Sequence, residues 1–151
     1  MAKLEWTEQL NIGIEVIDQQ HRRIVDYINQ LDEARCNALP REEIAMVIIQ
    51  LKDYTRSHFT FEESMQEEAG YPFLNQHKKG HDRFIERIYD YQYQFTRGED
   101  VSNALSSLLV TWLFNHIKRD DADFAESMMD NIQQPSDFLA KNKGFFSRLF
   151  E

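Results

Sequence analysis

Apolar residues recur every three or four positions along most of the chain, which is the spacing of one face of an α-helix. Four separate stripes of this kind can be followed between residues 18 and 134. The stripe positions are His21, Ile24, Ile28 and Leu31 in the first; Ile44, Ile48, Leu51, Tyr54 and His58 in the second; Leu74, His77, His81, Phe84, Ile88, Tyr91 and Phe95 in the third; and Leu105, Leu109, Trp112, Leu113, His116, Phe124, Met128 and Ile132 in the fourth. The pattern predicts four amphipathic helices.

Capping and helix-breaking residues mark where the predicted helices begin and end. Asp18 is placed to cap the first helix, and Pro40 stands where the second can begin. Gly70, Gly98 and Pro135 then close the second, third and fourth helices. Because the connections are short, consecutive helices should be antiparallel neighbours. The predicted fold is all-α, an up-down-up-down antiparallel four-helix bundle.

The two ends of the chain lack this helical stripe. Residues 1–17 have little helical period and predict an extended N-terminal arm that lies on the bundle, which itself spans residues 18–134. Residues 135–151 interleave aromatic and basic side chains and predict a short amphipathic C-terminal tail. Two roles are open for the tail: a short helix docked on the bundle, or contact with a partner protein or a membrane surface.

Composition narrows the class of protein further. At 151 residues and 42% hydrophobic content, the chain fits one globular domain, and we expect a monomer. A formal net charge of −9 disfavours nucleic acid as a partner, since the phosphate backbone is itself negative. A lone Cys36, no signal-like apolar segment at the N-terminus and no run of about 18 apolar residues predict a cytoplasmic protein without a transmembrane helix.

All five histidines fall on the apolar stripes of the predicted helices. A buried imidazole is costly unless its ring nitrogens find partners, and a metal ion would supply them. His77 and His81 are four residues apart and share a helix face, as do His58 and Glu62. Five imidazoles and at least one carboxylate exceed what one zinc ion takes, so the count favours two bridged iron or manganese ions.

The fourth helix should add a second carboxylate, and two neighbouring aspartates compete for this role. Asp120, four residues after His116, fits simple helical spacing. Asp121 instead shares its face with the apolar residues Met128 and Ile132, and it joins the stripe before His116 if one extra residue is inserted. A π-bulge inserts such a residue, and these bulges are frequent at functional sites. Asp121 is the preferred candidate, with Asp120 as the alternative.

Taken together, these residues resemble the hemerythrin family, in particular its single-domain bacteriohemerythrins. The resemblance covers about residues 4–133 and rests on the order and spacing of several short motifs. They are Trp6 in the arm, Ile17-Asp18-Gln19-Gln20-His21, His58-Phe59-Thr60-Phe61-Glu62-Glu63, His77-Lys78-Lys79-Gly80-His81 and His116-Ile117-Lys118-Arg119-Asp120-Asp121. The family's histidine followed five residues later by aspartate points to Asp121, in agreement with the periodicity.

The resemblance implies two iron ions bridged by the Glu62 and Asp121 carboxylates and by an oxo or hydroxo group. One iron would have no free position and the other would keep one open for dioxygen. The implied histidine ligands are His77, His81 and His116 on the first iron and His21 and His58 on the second.

The function that the resemblance implies is reversible dioxygen binding for carriage, storage or delivery, without catalysis. Two alternatives stay open: oxygen or redox sensing through a partner protein, and a diiron oxidase, peroxidase or nitric-oxide scavenger. Reversible binding needs a pocket that excludes water. Ile24, Phe59 and Leu113 are expected to line it because each lies within about one turn of a ligand, although ordinary core packing is the alternative for each.

Overall fold

The computed structural model describes residues 4–131, and every element of regular secondary structure in that range is helical. A short 3-10 helix, Glu8–Leu10, precedes α1, Glu15–Cys36, and α2, Arg41–Ala69. They are followed by α3, Leu74–Thr96, then α4, Ser102–Asn115, a π-helical segment, His116–Asp121, and α5, Ala122–Asn131. Consecutive helices pack against each other and α1 also packs against α4, which closes the predicted four-helix bundle.

The first helix begins earlier than the sequence pattern predicted. We expected residues 1–17 to be an extended arm and Asp18 to cap the helix, but α1 starts at Glu15 and a 3-10 turn interrupts the arm. The reason is burial, because Ile14 and Ile17 are fully buried and extend the apolar stripe of α1 toward the N-terminus. The prediction of the helix start was therefore wrong by about one turn.

Side chains of α1 hold the segment that precedes it. The Asp18 carboxylate accepts hydrogen bonds from the backbone N–H groups of Ile12, at 2.9 Å, and Gly13, at 3.3 Å. The Leu4 N–H donates to Asn29 Oδ1 and Asn29 Nδ2 donates to the Leu4 carbonyl, both at 2.9 Å. The segment thus lies along α1, and Asp18 satisfies backbone donors outside the helix instead of capping it.

The end of α2 follows the predicted pattern. Gly70 has a left-handed backbone, with φ at 67°, which glycine adopts at little cost. The Tyr71 N–H donates to the Gln66 carbonyl at 2.9 Å, so a carbonyl of the last turn is satisfied. Because the chain reverses here, α3 can bring His77 back beside α2.

The extra residue expected in the fourth predicted helix is present. The π-helical segment His116–Asp121 is continuous with α4 on one side and α5 on the other. Leu113 before the segment and Phe124 after it are both fully buried, and so is Asp121. The predicted π-bulge is confirmed, and it joins two apolar stripes that an unbroken α-helix would hold out of register.

Two apolar clusters fill the bundle, and a polar layer separates them. His21, for example, lies between Ile17 in the smaller cluster and Ile24 in the larger one. The smaller cluster consists of Ile14, Ile17, Phe61, Met65, Ala69, Tyr71, Phe124 and Ala125. The larger one includes Ile28, Leu51, Phe84, Ile88, Leu105 and Leu109. The buried histidines and carboxylates are therefore enclosed between apolar layers.

Within residues 4–131, no helix is both long enough and apolar enough to cross a membrane. The predicted tail, residues 135–151, and the helix end expected at Pro135 lie outside the described residues. Cys36 is exposed at the end of α1.

Candidate metal centre

Seven side chains from all parts of the bundle meet in the polar layer. Six of them are at most 2% exposed, and the seventh, His77, is 8% exposed. Helix α1 supplies His21, α2 supplies His58 and Glu62, α3 supplies His77 and His81, and the π-helical segment supplies His116 and Asp121. The structure thus brings together all seven residues that were singled out in the sequence.

Glu62 lies among four of the histidines, and its two oxygens face different ones. Its Oε2 atom is 3.2 Å from His58 Nε2. Its Oε1 atom is 2.9 Å from His77 Nε2, 3.4 Å from His81 Nε2 and 3.5 Å from His116 Nε2. One carboxylate therefore reaches histidines from three different segments of the chain.

Asp121 has a similar position and lies close to three of the histidines. Its Oδ2 atom is 2.8 Å from His21 Nε2 and 2.9 Å from His116 Nε2. Its Oδ1 atom is 3.4 Å from His77 Nε2. Both carboxylates thus present one oxygen to His77 and the other to a histidine of α1 or α2, which is what a bridging carboxylate requires.

The candidate ligand atoms form two overlapping groups, and within each group they lie within 4.8 Å of one another. Glu62 and His116 belong to both groups. One group is His21, His58, Glu62, His116 and Asp121, and the other is Glu62, His77, His81 and His116. Shared residues at the overlap are the arrangement expected of two adjacent metal ions.

The ligand atoms themselves test whether a metal fits. In the described part of the chain, Nε2 of His21, His58, His77 and His81 and the four carboxylate oxygens of Glu62 and Asp121 are buried, and although they lie close to one another, none of their contacts has the geometry of a hydrogen bond. Leaving such atoms unpaired costs about 1–3 kcal/mol each. Metal ions satisfy them together, and imidazole with carboxylate is a donor set that transition metals accept. The residues fit a metal centre.

Three of the histidines have a protein partner on the other ring nitrogen. From Nδ1, His58 is 2.7 Å from Gln20 Oε1, His77 is 2.6 Å from the Gln66 side-chain amide, and His81 is 3.0 Å from Glu63 Oε2. Such partners fix the ring orientation and leave Nε2 for a metal. Sequence reasoning missed this role of Gln20, Gln66 and Glu63, although Gln66 follows Glu62 by four residues on the buried face of α2.

Both carboxylates are ionised despite their burial. Burial raises the pKa of Glu62, but His116 and the other imidazoles outweigh it and hold the pKa well below its usual range. Burial and the Glu62 charge act to raise the pKa of Asp121, whereas His116 and His21 hold it at about 2. The site therefore has two negative charges available to a cation.

The imidazoles are shifted in opposite directions. Burial lowers the pKa of His58 to about 4, so this ring is neutral at pH 7, as a metal ligand must be. Burial also acts to lower the pKa of His77, but the Asp121 and Glu62 carboxylates close to its Nε2 atom outweigh burial and raise the pKa to about 9. A metal ion bound at His77 would have to displace that proton.

The three residues predicted to line a dioxygen pocket are buried in the larger apolar cluster. Phe59 stacks face to face on the His81 ring, with centroids 3.8 Å apart, and Ile24 and Leu113 are 2% and 0% exposed. A pocket of about 330 Å³ adjoins the site, but it is lined by other residues. They are Tyr71, Phe73, Gln76, His77, Gly80, His81, Trp112, His116 and Asp123. The dioxygen-pocket role of the three residues stays a prediction.

Trp112 contacts a candidate ligand directly, although the sequence showed it only as a stripe position. Its indole stacks on the His116 ring, with centroids 4.4 Å apart and 14° between the planes. Phe84 stacks on the indole in turn, with centroids 3.8 Å apart. His116 is thus backed by a continuous aromatic stack.

A family model described as the hemerythrin HHE cation binding domain matches residues 12–127. The chain belongs to the hemerythrin family. All seven candidate ligands fall inside the matched range, so the hemerythrin cation-binding domain and the buried polar layer coincide in this chain.

Named relatives and solved hemerythrins cover most of the chain. A bacteriohemerythrin from Stenotrophomonas maltophilia is 48% identical over 134 residues, which are 89% of this chain and 87% of that protein. A bacteriohemerythrin from Pseudomonas aeruginosa is 46% identical over 151 residues, covering 98% of this chain and 95% of that protein. A crystal structure of wild-type hemerythrin superimposes with a TM-score of 0.77 at 30% identity, covering 84% of this chain and 98% of the other.

Proposed function

We propose that this hemerythrin-family chain binds dioxygen reversibly at a pair of iron ions, for carriage, storage or delivery of dioxygen. The observation that carries the proposal is the set of buried ligand atoms without hydrogen-bond partners around two carboxylates. Their division into two overlapping groups supports two ions rather than one. The relatives named bacteriohemerythrin support iron as the metal and dioxygen as the ligand.

Each ligand has a proposed place in this centre. Glu62 and Asp121 would bridge the ions together with an oxo or hydroxo group, since each carboxylate faces histidines on both sides. His77, His81 and His116 would bind one iron, and His21 and His58 the other. With only two imidazoles, the iron held by His21 and His58 would keep one position open for dioxygen. When bound, the irons supply the electrons that dioxygen accepts and returns.

The chain's own contribution is to set the charge and exclude water. Two ionised carboxylates offset part of the metal charge, while neutral imidazoles such as His58 add none. Apolar clusters cover the polar layer on both sides, and Ile24, Phe59 and Leu113 are proposed to keep the dioxygen position dry. Excluding water and protons slows irreversible oxidation. The ratio of five imidazoles to two carboxylates favours binding over oxidase chemistry.

The test combines metal analysis with visible spectra. The protein is loaded with ferrous iron under argon, exposed to dioxygen and returned to argon. Two irons per chain and a charge-transfer band that appears with dioxygen and disappears on degassing are expected. Two irons that oxidise once without recovery would contradict reversible binding and favour a redox enzyme, with peroxide and nitric oxide as the next substrates to try.

Two adjacent glutamates offer a matched control. Glu62→Gln removes the charge of a proposed bridge and should lower the iron content below two per chain. Glu63→Gln changes the neighbouring residue identically, but its amide oxygen can still accept a hydrogen bond from His81 Nδ1. Its iron content should stay at two. Equal iron contents in the two variants would reject the bridging role of Glu62.

A further inference from the structure

Gly80 lies inside α3, between two candidate ligands, without a conformational reason for glycine. It is not among the described glycines with positive φ, so its backbone suits any residue. Beyond the neighbouring residues and backbone of its own helix, a Cβ placed on it would meet no atom within 4 Å. Glycine in a helix interior is destabilising relative to alanine. Neither backbone geometry nor close packing therefore accounts for this residue.

Gly80 lines the pocket of about 330 Å³ that adjoins the metal centre. His77, His81 and His116 line the same pocket, so it reaches the three-histidine side of the centre. His77 is also the most exposed of the seven candidate ligands, at 8%, whereas His21 is completely buried. This is the side on which the described site comes nearest to solvent.

The size and the polar lining of the pocket suit a small hydrated cation. Apart from the histidines, the charged residue among its described lining is Asp123, and neither Lys nor Arg is included. Six waters around one ion need roughly 180 Å³ at about 30 Å³ each, which is less than the volume of the pocket.

We propose that this pocket is the access port through which divalent metal ions reach and leave the centre, and that Gly80 keeps the port open. The inference rests on the proposed metal centre. A side chain at position 80 would extend into space that is now open, so an ion would have to pass it on the way to His77 and His81.

The experiment measures release of ferrous iron from the loaded protein. Protein loaded under argon is mixed with excess ferrous chelator, at concentrations where the rate no longer depends on the chelator, and metal analysis counts the iron bound beforehand. Gly80→Leu is the blocking variant. Gly80→Ala is the control for helix propensity, and Lys79→Leu places the same side chain on a neighbour that is exposed but does not line the pocket.

We expect all four proteins to bind two irons at equilibrium. Gly80→Leu should release iron roughly tenfold more slowly, which corresponds to a barrier higher by about 1.4 kcal/mol. Gly80→Ala and Lys79→Leu should release iron at the wild-type rate. If circular dichroism shows that Gly80→Leu does not fold, Gly80→Gln takes its place, with the same expected slowing.

Three results would contradict the proposal that this pocket is an access port. Two irons bound with equal release rates in every variant would reject it while leaving the metal centre intact. Equal slowing in Gly80→Ala and Gly80→Leu would assign the effect to helix rigidity. Unchanged iron release with slower dioxygen association in Gly80→Leu would assign the pocket to dioxygen. A wild-type chain that binds no iron would overturn the proposed function itself, which is a different observation from any of these.

Discussion

Asp121 Oδ2 lies 2.8 Å from His21 Nε2, and the π-helical segment is what brings the two residues together. Asp121 comes five residues after His116, whereas an α-helix places the fourth residue on the same face. The extra residue is therefore absorbed within the segment, and Phe124 beyond it still enters the core.

Deleting Lys118, which is exposed in this segment, should leave the site intact. Asp121 would then follow His116 by four residues. An ordinary α-helix would therefore place the apolar residues before His116 and those after Asp121 on the same buried face. We expect two irons per chain and an unfolding free energy equal to or above that of the wild type. Deletion of the exposed Asp123 is the control, since it leaves the segment unchanged and turns Phe124 out of the core. Loss of iron on deleting Lys118 would show that the π geometry itself is needed.

His77→Ala should reduce bound iron from two toward one per chain. His77 Nε2 lies 2.9 Å from Glu62 and 3.4 Å from Asp121, so its loss removes a ligand at both proposed bridges. Metal analysis after anaerobic loading is the measurement, with the exposed neighbour changed in Lys78→Ala as control. A variant that still holds two irons would exclude His77 as a necessary ligand.

Leu113→Ala should keep both irons but oxidise faster in air. Leu113 is completely buried, and its truncation opens space through which water can approach the centre. It should also destabilise the bundle by about 3 kcal/mol, as buried leucine truncations do. Leu109→Ala, one turn earlier and also buried, should destabilise similarly without changing autoxidation. The same autoxidation rate in both variants would argue against a pocket role for Leu113.

Asp18→Ala should lower the free energy of unfolding by about 2 kcal/mol. The buried Asp18 carboxylate accepts hydrogen bonds from the N–H groups of Ile12 and Gly13, and alanine would leave both donors without this acceptor. Urea unfolding measures the loss, with Asp26→Ala as the exposed control on the same helix. Equal stability of the two variants would show that the segment before α1 contributes little.

Tyr54 should make the folded state lose stability at alkaline pH. Burial raises its pKa to about 12, against Arg23, which acts to lower it, while its ordinary value is 10.0. Between pH 10 and about pH 12, the Tyr54 hydroxyl is ionised in the unfolded chain but still protonated in the folded chain. The contribution of Tyr54 to the free energy of unfolding is therefore complete below pH 10 and falls as the pH rises toward 12. Urea unfolding of Tyr54→Phe should show a smaller decline over this range than the wild type. An equal decline in the free energy of unfolding of the two proteins would contradict the raised pKa of Tyr54.

Helix positions could be predicted from the sequence wherever one periodicity dominated, and the start of α1 shows where that fails. Ile12, Ile14 and Val16 alternate like an extended strand, yet Ile14 and Ile17 also continue the helical stripe toward His21. Burial in the smaller cluster decides in favour of the helix. That burial depends on Phe61 and Phe124 from other helices, which local spacing does not show.

The ligand candidates were predictable because each sits on an apolar stripe, where a polar side chain is conspicuous. The hydrogen-bond partners of the histidine Nδ1 atoms could not be predicted from the sequence. Gln20 is next to His21 in the sequence but contacts His58 on another helix, at 2.7 Å. Such contacts depend on how α1 and α2 pack and on side-chain rotamers. Likewise, the pocket beside Gly80, which we propose as an access port, exists only once α3 and α4 are in place.

The stacks of Phe59 on His81 and of Trp112 on His116 also affect how strongly the centre can retain metal. Flat rings packed on the imidazoles hold them in a preorganised array before any ion arrives. The entropy of aligning the ligands is then lost during folding, and little more is lost on binding. Metal retention at the proposed centre should therefore depend on the rigidity of the surrounding aromatic packing, and loosening a stack should weaken metal binding even where every ligand atom is unchanged.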